Sequence, residues 1–369
     1  MKLLVLGGTK FVGRALVHSA LQDGHTVTLF NRGITSPTGL ELFGDSVEHL
    51  TGDRRSPGGL SALEGRNWDA VVDVAGYLPS EVRASVAALQ GKVKLYAFVS
   101  SISAYGDTTD ERIAAFDAAG RVAPSLDEVL AAGGVAEDTP TSWYSNGDPE
   151  LATKIDQYGP LKATCERTCL EGFPNAALIL RPGYIVGPWD GTGRWIAWPQ
   201  RVAAGGTVLG YEANTAMQWI DVRDFADFIV RRCVALDADV YNVVGTGGTL
   251  LQRPTLSGLL EASARVTGSD ATFVYADSAF LRQQPEVNYT SLPFFDPTDG
   301  INPESSHVDS LLSAASNAKA VAAGLTFRDI EDTIRAALAE ATPSSSWGMP
   351  PEVEKALLKK WQVKSAARL

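Results

Sequence analysis

The chain has 369 residues, 45% hydrophobic and 20% charged, ordinary proportions for a globular protein able to bury a large core. Its 32 basic and 43 acidic residues leave a net charge of -11, which argues against broad binding to nucleic acid or to an anionic membrane surface. Cys165 and Cys169 lie about one helical turn apart with no second ligand pair at metal-site spacing, so reduced thiols and no metal are expected.

The N-terminal run "LLVL" is too short for a signal core, and no stretch approaches a membrane span, so a cytoplasmic protein is expected. "KLLVLG" reads as a buried strand and residues 11–23 as a helix with Phe11, Ala15, Leu16 and Leu21 near one face. "HTVTLFNRG", "VEHLTGD", "WDAVVDVAG" and "KLYAFVSSIS" follow as strands two to five. Strand, helix, strand in repeated order implies right-handed crossovers and a parallel sheet covered on both faces.

Residues 107–140 break the rhythm, with a short helix expected near "SLDEVLAAG". A helix then runs from about Tyr158 to Glu171, and "NAALILRPGYIVGP" forms a sixth strand entering a glycine-proline loop. A Trp-rich loop, the helix-like "QWIDVRDFADFIVRRC" and the strand "DVYNVVG" come next. Residues 250–340 read as mixed α/β, followed by the Ser/Pro stretch "TPSSSWGMPP" and a polar helix.

"LGGTKFVG" carries the first chemical signal. Gly7 permits a tight strand-to-helix turn, Gly8 lets the backbone approach a ligand, and Gly13 lets the helix pack onto the strand. The helix N-terminus is thereby aimed at a pyrophosphate. Position directly after the first strand is the context such a motif requires. The expected architecture is therefore a doubly wound (Rossmann) parallel sheet over 1–182 and 214–246. A smaller mixed α/β substrate domain is expected over 183–213 and 247–343, with a tail at 344–369.

The end of strand two points to the cofactor. An acid there would bond ribose hydroxyls, but the sequence has Asn31-Arg32-Gly33. Arg32 suits a 2′-phosphate, and Lys10 stands where a glycine would otherwise serve, so NADP(H) is expected, with NAD possible. Asp53 is a candidate for the adenine amine or simply a turn-forming residue.

"YGPLK" sets Tyr158 and Lys162 four residues apart on one helical face, with Pro160 tolerable in the first turn. A nearby ammonium is expected to lower the phenol's pKa, making Tyr158 an acid/base. Ser101, ending strand five, is placed to polarise a substrate carbonyl. Trp189, Trp195, Trp198, Phe294 and Phe295 offer either an apolar pocket or core packing.

With "GGTKFVG", "TGDRR", "VSSISAYGD", "YGPLKATCE", "LRPGYIVGP" and "QWIDVRDFADFI", the chain resembles the extended short-chain dehydrogenases/reductases of the NAD-dependent epimerase/dehydratase family over residues 5 to about 230. The resemblance implies catalytic Ser101, Tyr158 and Lys162. It implies cofactor contacts from Gly7, Thr9, Lys10, Phe11, Val12 and Gly13 in the first turn, and from Asn31, Arg32, Asp53 and Arg54 after strands two and three. Ala75, Gly76, Tyr77 and Ser100 follow after strands four and five, then Tyr158, Lys162, Pro182, Gly183 and Tyr184 at the nicotinamide end.

The departures matter as much. Ser101 is followed by Ile102-Ser103 instead of the Asp-Glu of dehydratases. Met217 stands where nucleotide-sugar enzymes of this family carry an arginine, and "R-x-G-D" is missing near the C-terminus. Arg223 is expected to pair Asp221 or Asp224, or to face the cofactor side. The expected function is interconversion of a ketone and a secondary alcohol on a small, partly apolar, non-nucleotide substrate. The protein would be a monomer or homodimer without nucleic-acid or membrane partners. The alternatives are an epimerase of a sugar or nucleotide sugar with retained NAD(P), and more remotely an RNA-binding protein on the same fold. Chloroplast stem-loop-binding proteins are similar in the "GGT-basic-F-hydrophobic-G" start, but a charge of -11 disfavours RNA.

Overall fold

The computed structural model describes residues 1–35, 37–105, 134–139, 141, 158–215, 217–245, 254–295, 315–341 and 346–366. The helix expected near 125–133 lies outside the described residues. The first half alternates as the residue pattern requires. β1 (Lys2–Leu6) leads to α1 (Phe11–Gln22), β2 (Thr26–Asn31), the short α2 (Gly39–Phe43) and β3 (Glu48–Thr51). β4 (Ala70–Asp73), α3 (Pro79–Leu89), β5 (Leu95–Val99), α4 (Tyr158–Gly172) and β6 (Ala177–Pro182) follow. β7 (Tyr184–Val186), α5 (Ala197–Ala203), β8 (Thr207–Tyr211), β9 (Trp219–Asp221), α6 (Val222–Val234) and β10 (Val240–Val243) complete the middle of the chain.

Seven strands form one parallel sheet in the order β10-β6-β5-β4-β1-β2-β3. The order reverses between β1 and β4, and a ligand crevice opens at such a switch point beyond the strands' carboxyl ends. β4, β5 and β6 are buried along their whole length, because helices cover both faces. One face packs Leu16 and Val17 of α1 against Phe225, Phe228 and Ile229 of α6. The other packs Val82, Val86 and Leu89 of α3 against Cys165 and Cys169 of α4. The three cysteines are free and buried.

A second core lies beside the sheet. It joins α5 and the parallel pair β8–β11, where β11 is Thr272–Ala276, to α7 (Leu256–Thr267) and α8 (Ser278–Leu281). Two of the sequence boundaries shift here. α9 (Ala318–Ala322), expected in the substrate domain, buries Ala320 in the main core together with Leu325. After α10 (Ile330–Glu340), the expected tail contains α11 (Pro351–Ala366), which buries Leu357 and Leu358 in the second core. Buried Glu354 holds it there, accepting from Arg201 Nε at 2.7 Å and from the Leu209 amide at 3.0 Å. Among the described residues no helix is long and apolar enough to cross a membrane.

Candidate active site

The glycine turn is built by close approach. Gly7 and Gly8 take φ of +115° and +99°, values that side chains rarely tolerate. A Cβ on Gly8 would sit 2.4 Å from Leu29, and one on Gly13 would sit 2.5 Å from the Gly8 nitrogen. Helix α1 therefore starts directly under the turn, and Phe11 in its first position takes φ +30°. Thr9, Lys10, Phe11 and Val12 line the adjoining cleft of about 540 Å³, as do Asn31, Arg32, Asp53, Arg54, Ala75 and Tyr77.

Lys10 and Arg32 are both exposed, and among the described residues neither makes an ion pair. No acid ends β2; Asn31 Oδ1 instead accepts from the Gly33 amide at 2.9 Å. The rim of the cleft thus presents two uncommitted positive charges. The cradle fits the pyrophosphate of a dinucleotide.

Asp53 and Arg54 are differently engaged. Asp53 accepts from the Arg55 guanidinium at 2.7 Å and from the Arg55 amide at 3.1 Å. These bonds hold its carboxyl well below the usual range, and Arg32 adds a smaller pull. The turn role foreseen for Asp53 is the one the structure displays. Arg54 reaches inward to Asp73 at 2.6 Å and to Ser85 Oγ at 3.1 Å. Asp73 is fully buried and also accepts from Tyr96 Oη and the Ala75 amide. Burial would raise the Asp73 pKa, but the charge and hydrogen bonds of Arg54 outweigh it and bring it down. Arg54, expected as a cofactor contact, spends its guanidinium on tying the loop after β3 to the end of β4.

The lining of the cleft reaches Tyr77 but not Ser100, Ser101, Tyr158 or Lys162; β5 delivers the two serines to the sheet edge, where the Ser100 amide donates to Leu180 O at 2.7 Å. α4 presses on the turn that follows: a Cβ on Gly159 would lie 2.1 Å from Ser103 O. This contact carries Tyr158 to Ser101, whose hydroxyl pulls the phenol pKa down while itself accepting from the Ser103 amide at 3.1 Å. One turn further, Lys162 Nζ is buried and donates to Gly76 O at 2.8 Å and Val99 O at 2.9 Å. Its ammonium lies 4.8 Å from the Tyr77 ring, 4.9 Å from Phe98 and 5.8 Å from Tyr158. Two of its three hydrogens are used, leaving one for a ligand.

The expected depression of the phenol pKa is not what this arrangement produces. Burial pushes Tyr158 up to about 12, with the Ser101 hydroxyl opposing, and burial pulls Lys162 down to about 8. The ammonium is aimed at two carbonyls, so desolvation decides both shifts.

Behind these residues lies a network that the motif reading missed. Arg181, in β6, grips Glu166 through Nη2 at 2.7 Å and Nε at 3.0 Å, and both side chains are buried. Ser100 Oγ donates to the same carboxylate, which ties up its hydrogen. Arg181 Nη1 donates to Tyr105 Oη at 2.8 Å, which donates to Asn242 Oδ1 at 2.7 Å. The signals were an arginine inside the apolar run "LILRP" and a glutamate four residues past Lys162 on the same helical stripe.

The aromatic residues divide. Trp195, Trp198 and Phe295 are almost wholly buried in the second core, as is Met217. They are packing residues, and the apolar pocket expected from them does not form there. Trp189 stacks on His18 with centroids 5.1 Å apart and donates to Glu340. Gly183 packs 3.1 Å (at its would-be Cβ) from Val244 and 3.5 Å from Ile102, beside Ser101. Tyr184 follows and meets Phe294 edge-on at 5.0 Å. Arg223 pairs Asp221 at 2.7 Å, one of the partners expected, and also Asp332 at 3.1 Å.

Comparison with known proteins places the fold. No family model matches the chain. Among curated proteins it is 36% identical over 115 residues to chloroplast stem-loop binding protein of 41 kDa b from Arabidopsis thaliana. That match covers 28% of this chain and 30% of the relative. Solved structures align over far more. A putative epimerase from Burkholderia cenocepacia gives a TM-score of 0.61 at 18% identity, covering 92% of this chain and 97% of that one. UDP-glucuronic acid 4-epimerase from Bacillus cereus, in complex with NAD, gives 0.57 at 15%, covering 92% and 96%. dTDP-glucose 4,6-dehydratase from Bacillus anthracis, also with NAD, gives 0.52 at 17%, covering 75% and 85%. The chain shares the fold of these solved epimerases and dehydratases.

Proposed function

We propose that the protein is a nicotinamide-dependent oxidoreductase that prefers NADP(H) and interconverts a ketone and a secondary alcohol, with Tyr158 as acid/base. The observation that carries this reading is the gathering of Tyr158 beside Ser101, one helical turn from buried Lys162, whose Nζ donates to Gly76 O and Val99 O. The bound dinucleotide would supply the hydride acceptor or donor. Gly7, Gly8 and the start of α1 would hold its pyrophosphate, and Lys10 and Arg32 its 2′-phosphate. Lys162 would offer its remaining hydrogen to the ribose beside the nicotinamide.

With a pKa near 12, Tyr158 keeps its proton at neutral pH. It is therefore set to give that proton to a substrate oxygen as negative charge develops there. Ser101 would steady the same oxygen. The short-chain fold also hosts epimerases, and the solved neighbours named above include them, so return of the hydride to the same substrate is the second reading.

Titration with NADPH and NADH, followed by a screen of ketones for NADPH consumption, tests the proposal. Tighter binding of NADPH by about tenfold or more and ketone-dependent oxidation are expected. Preference for NADH overturns the cofactor assignment. An oxidised cofactor that copurifies and is never consumed moves the epimerase to first place. Selective RNA binding without dinucleotide affinity would replace both with the property named in the Arabidopsis relative.

A further inference from the structure

Arg194 is the cation no motif accounts for. Its guanidinium carbon lies 4.7 Å from the Tyr184 ring centroid, 5.6 Å from Trp347, 5.7 Å from Phe294 and 5.9 Å from Tyr289. Nη1 donates to Tyr289 Oη at 2.9 Å, and that hydroxyl is 3.2 Å from Tyr184 Oη. Four aromatic rings on one half-buried arginine hold its plane rigid while leaving its charge intact. Among the described residues no carboxylate lies within ion-pair distance of Arg194. Asp190 faces it more remotely: burial raises the Asp190 pKa, and the Arg194 charge opposes that.

The cage is joined to the Ser101 turn through Gly183. Tyr184 is the residue after Gly183, whose position packs on Ile102, the neighbour of Ser101. Its fourth wall comes from the C-terminal segment. The Gly348 amide donates to Thr290 O at 2.9 Å, setting Trp347 against Tyr289 at 5.6 Å. Helix α11, pinned through Glu354 to Arg201, anchors that segment to the second core.

We infer that this cage is a specificity site for a carboxylate on the substrate, seated on Arg194 and flanked by a planar apolar group against the rings. The inference rests on the oxidoreductase reading for its substrate, but not for the binding itself. A guanidinium held flat in advance offers two parallel N–H donors to a carboxylate without the cost of ordering a long side chain. One cation matches one carboxylate. A diphosphate needs more positive charge than the cage provides, because Met217, at the family's arginine position, is buried in the second core. The C-terminal segment is accordingly part of the substrate site through Trp347.

Cinnamate and its neutral amide, cinnamamide, are the probes, titrated calorimetrically with and without NADP⁺. Wild-type protein should bind the acid about tenfold or more tightly than the amide. Arg194→Gln should erase that gap, Arg194→Lys should keep part of it, and Trp347→Ala should weaken acid and amide alike. Thermal unfolding of each variant, expected within a few degrees of wild type, separates lost binding from lost fold. Equal binding of acid and amide, or a gap that survives Arg194→Gln, overturns the assignment. Micromolar UDP binding lost in Arg194→Gln overturns the carboxylate in favour of a diphosphate. Should NADP⁺ not bind while the acid–amide gap persists, the oxidoreductase reading fails and the carboxylate site stands.

Discussion

The glycine turn and the Ser101–Tyr158 site use the same kinds of charged side chain in opposite states. At the glycine turn, Lys10 and Arg32 are exposed and unpaired among the described residues. Around Ser101 and Tyr158, Lys162, Glu166 and Arg181 are buried, and each meets carbonyl, carboxylate, guanidinium or hydroxyl partners inside the protein. A buried charge without partners is prohibitively costly, so the second set is bound up with folding. An exposed cation costs folding almost nothing and is free to wait for a ligand. Loss of stability should therefore follow mutation at one site, and loss of affinity at the other.

The largest effect belongs to Tyr158. Tyr158→Phe removes the proton that the proposal transfers to the substrate oxygen. It should lower kcat by about 10²–10⁴-fold while leaving cofactor affinity nearly unchanged. Full activity on a verified substrate would show that the proton comes from elsewhere. Glu166→Ala should strike the fold instead. It leaves Arg181 charged and buried without its carboxylate, a loss of about 3–5 kcal/mol in urea unfolding. Arg32→Ala should stay within about 0.5 kcal/mol of wild type in the same assay. If the two variants unfold alike, the contrast between the two sites is lost.

Lys162 gives a pH signature with two signs. Its folded pKa, near 8, lies below the unfolded value of 10.5 because burial disfavours the ammonium. Between pH 8 and 10.5 the unfolded chain holds more protons, so stability should rise with pH across that window. Cofactor affinity should fall across it, as the hydrogen offered to the ribose is lost. Lys162→Met should abolish both trends. Persistence of either would assign it to another group.

The first half of the chain was legible because local rules agree with the global fold there. Apolar runs such as "LLVL" and "AVVD" are buried on both faces, and each glycine of the first turn is demanded by a contact a Cβ would violate. Tyr158 and Lys162 were legible from a four-residue spacing. The Glu166–Arg181 pair was not, because its partners meet only when α4 packs on β6. The direction of the Tyr158 shift was missed for a related reason: proximity in sequence suggested charge, whereas burial governs. The Trp-rich loop misled because composition does not say which face an aromatic side chain takes. Trp195 and Trp198 face the second core, while the Arg194 cage gathers Tyr184, Tyr289, Phe294 and Trp347 from three separated stretches.

The glycine turn sets the smallest effects, and their ratio sharpens the comparison. A guanidinium meets a phosphate through two parallel hydrogen bonds, whereas an ammonium on a flexible stem acts as a hydrated point charge. Arg32→Ala should therefore weaken NADPH by about tenfold to a hundredfold. Lys10→Ala should weaken it by only about threefold to tenfold, with a larger share lost to screening as salt rises. NADH, which lacks the 2′-phosphate, should bind both variants about as well as wild type. Lys10 also caps the first turn of α1 without a side-chain hydrogen bond to that turn, so its removal leaves the pyrophosphate cradle in place. Calorimetric titration of both cofactors at low and moderate ionic strength reads this directly. Parallel losses for NADH and NADPH in Lys10→Ala would show that the lysine serves the pyrophosphate, and only Arg32 would then read the 2′-phosphate.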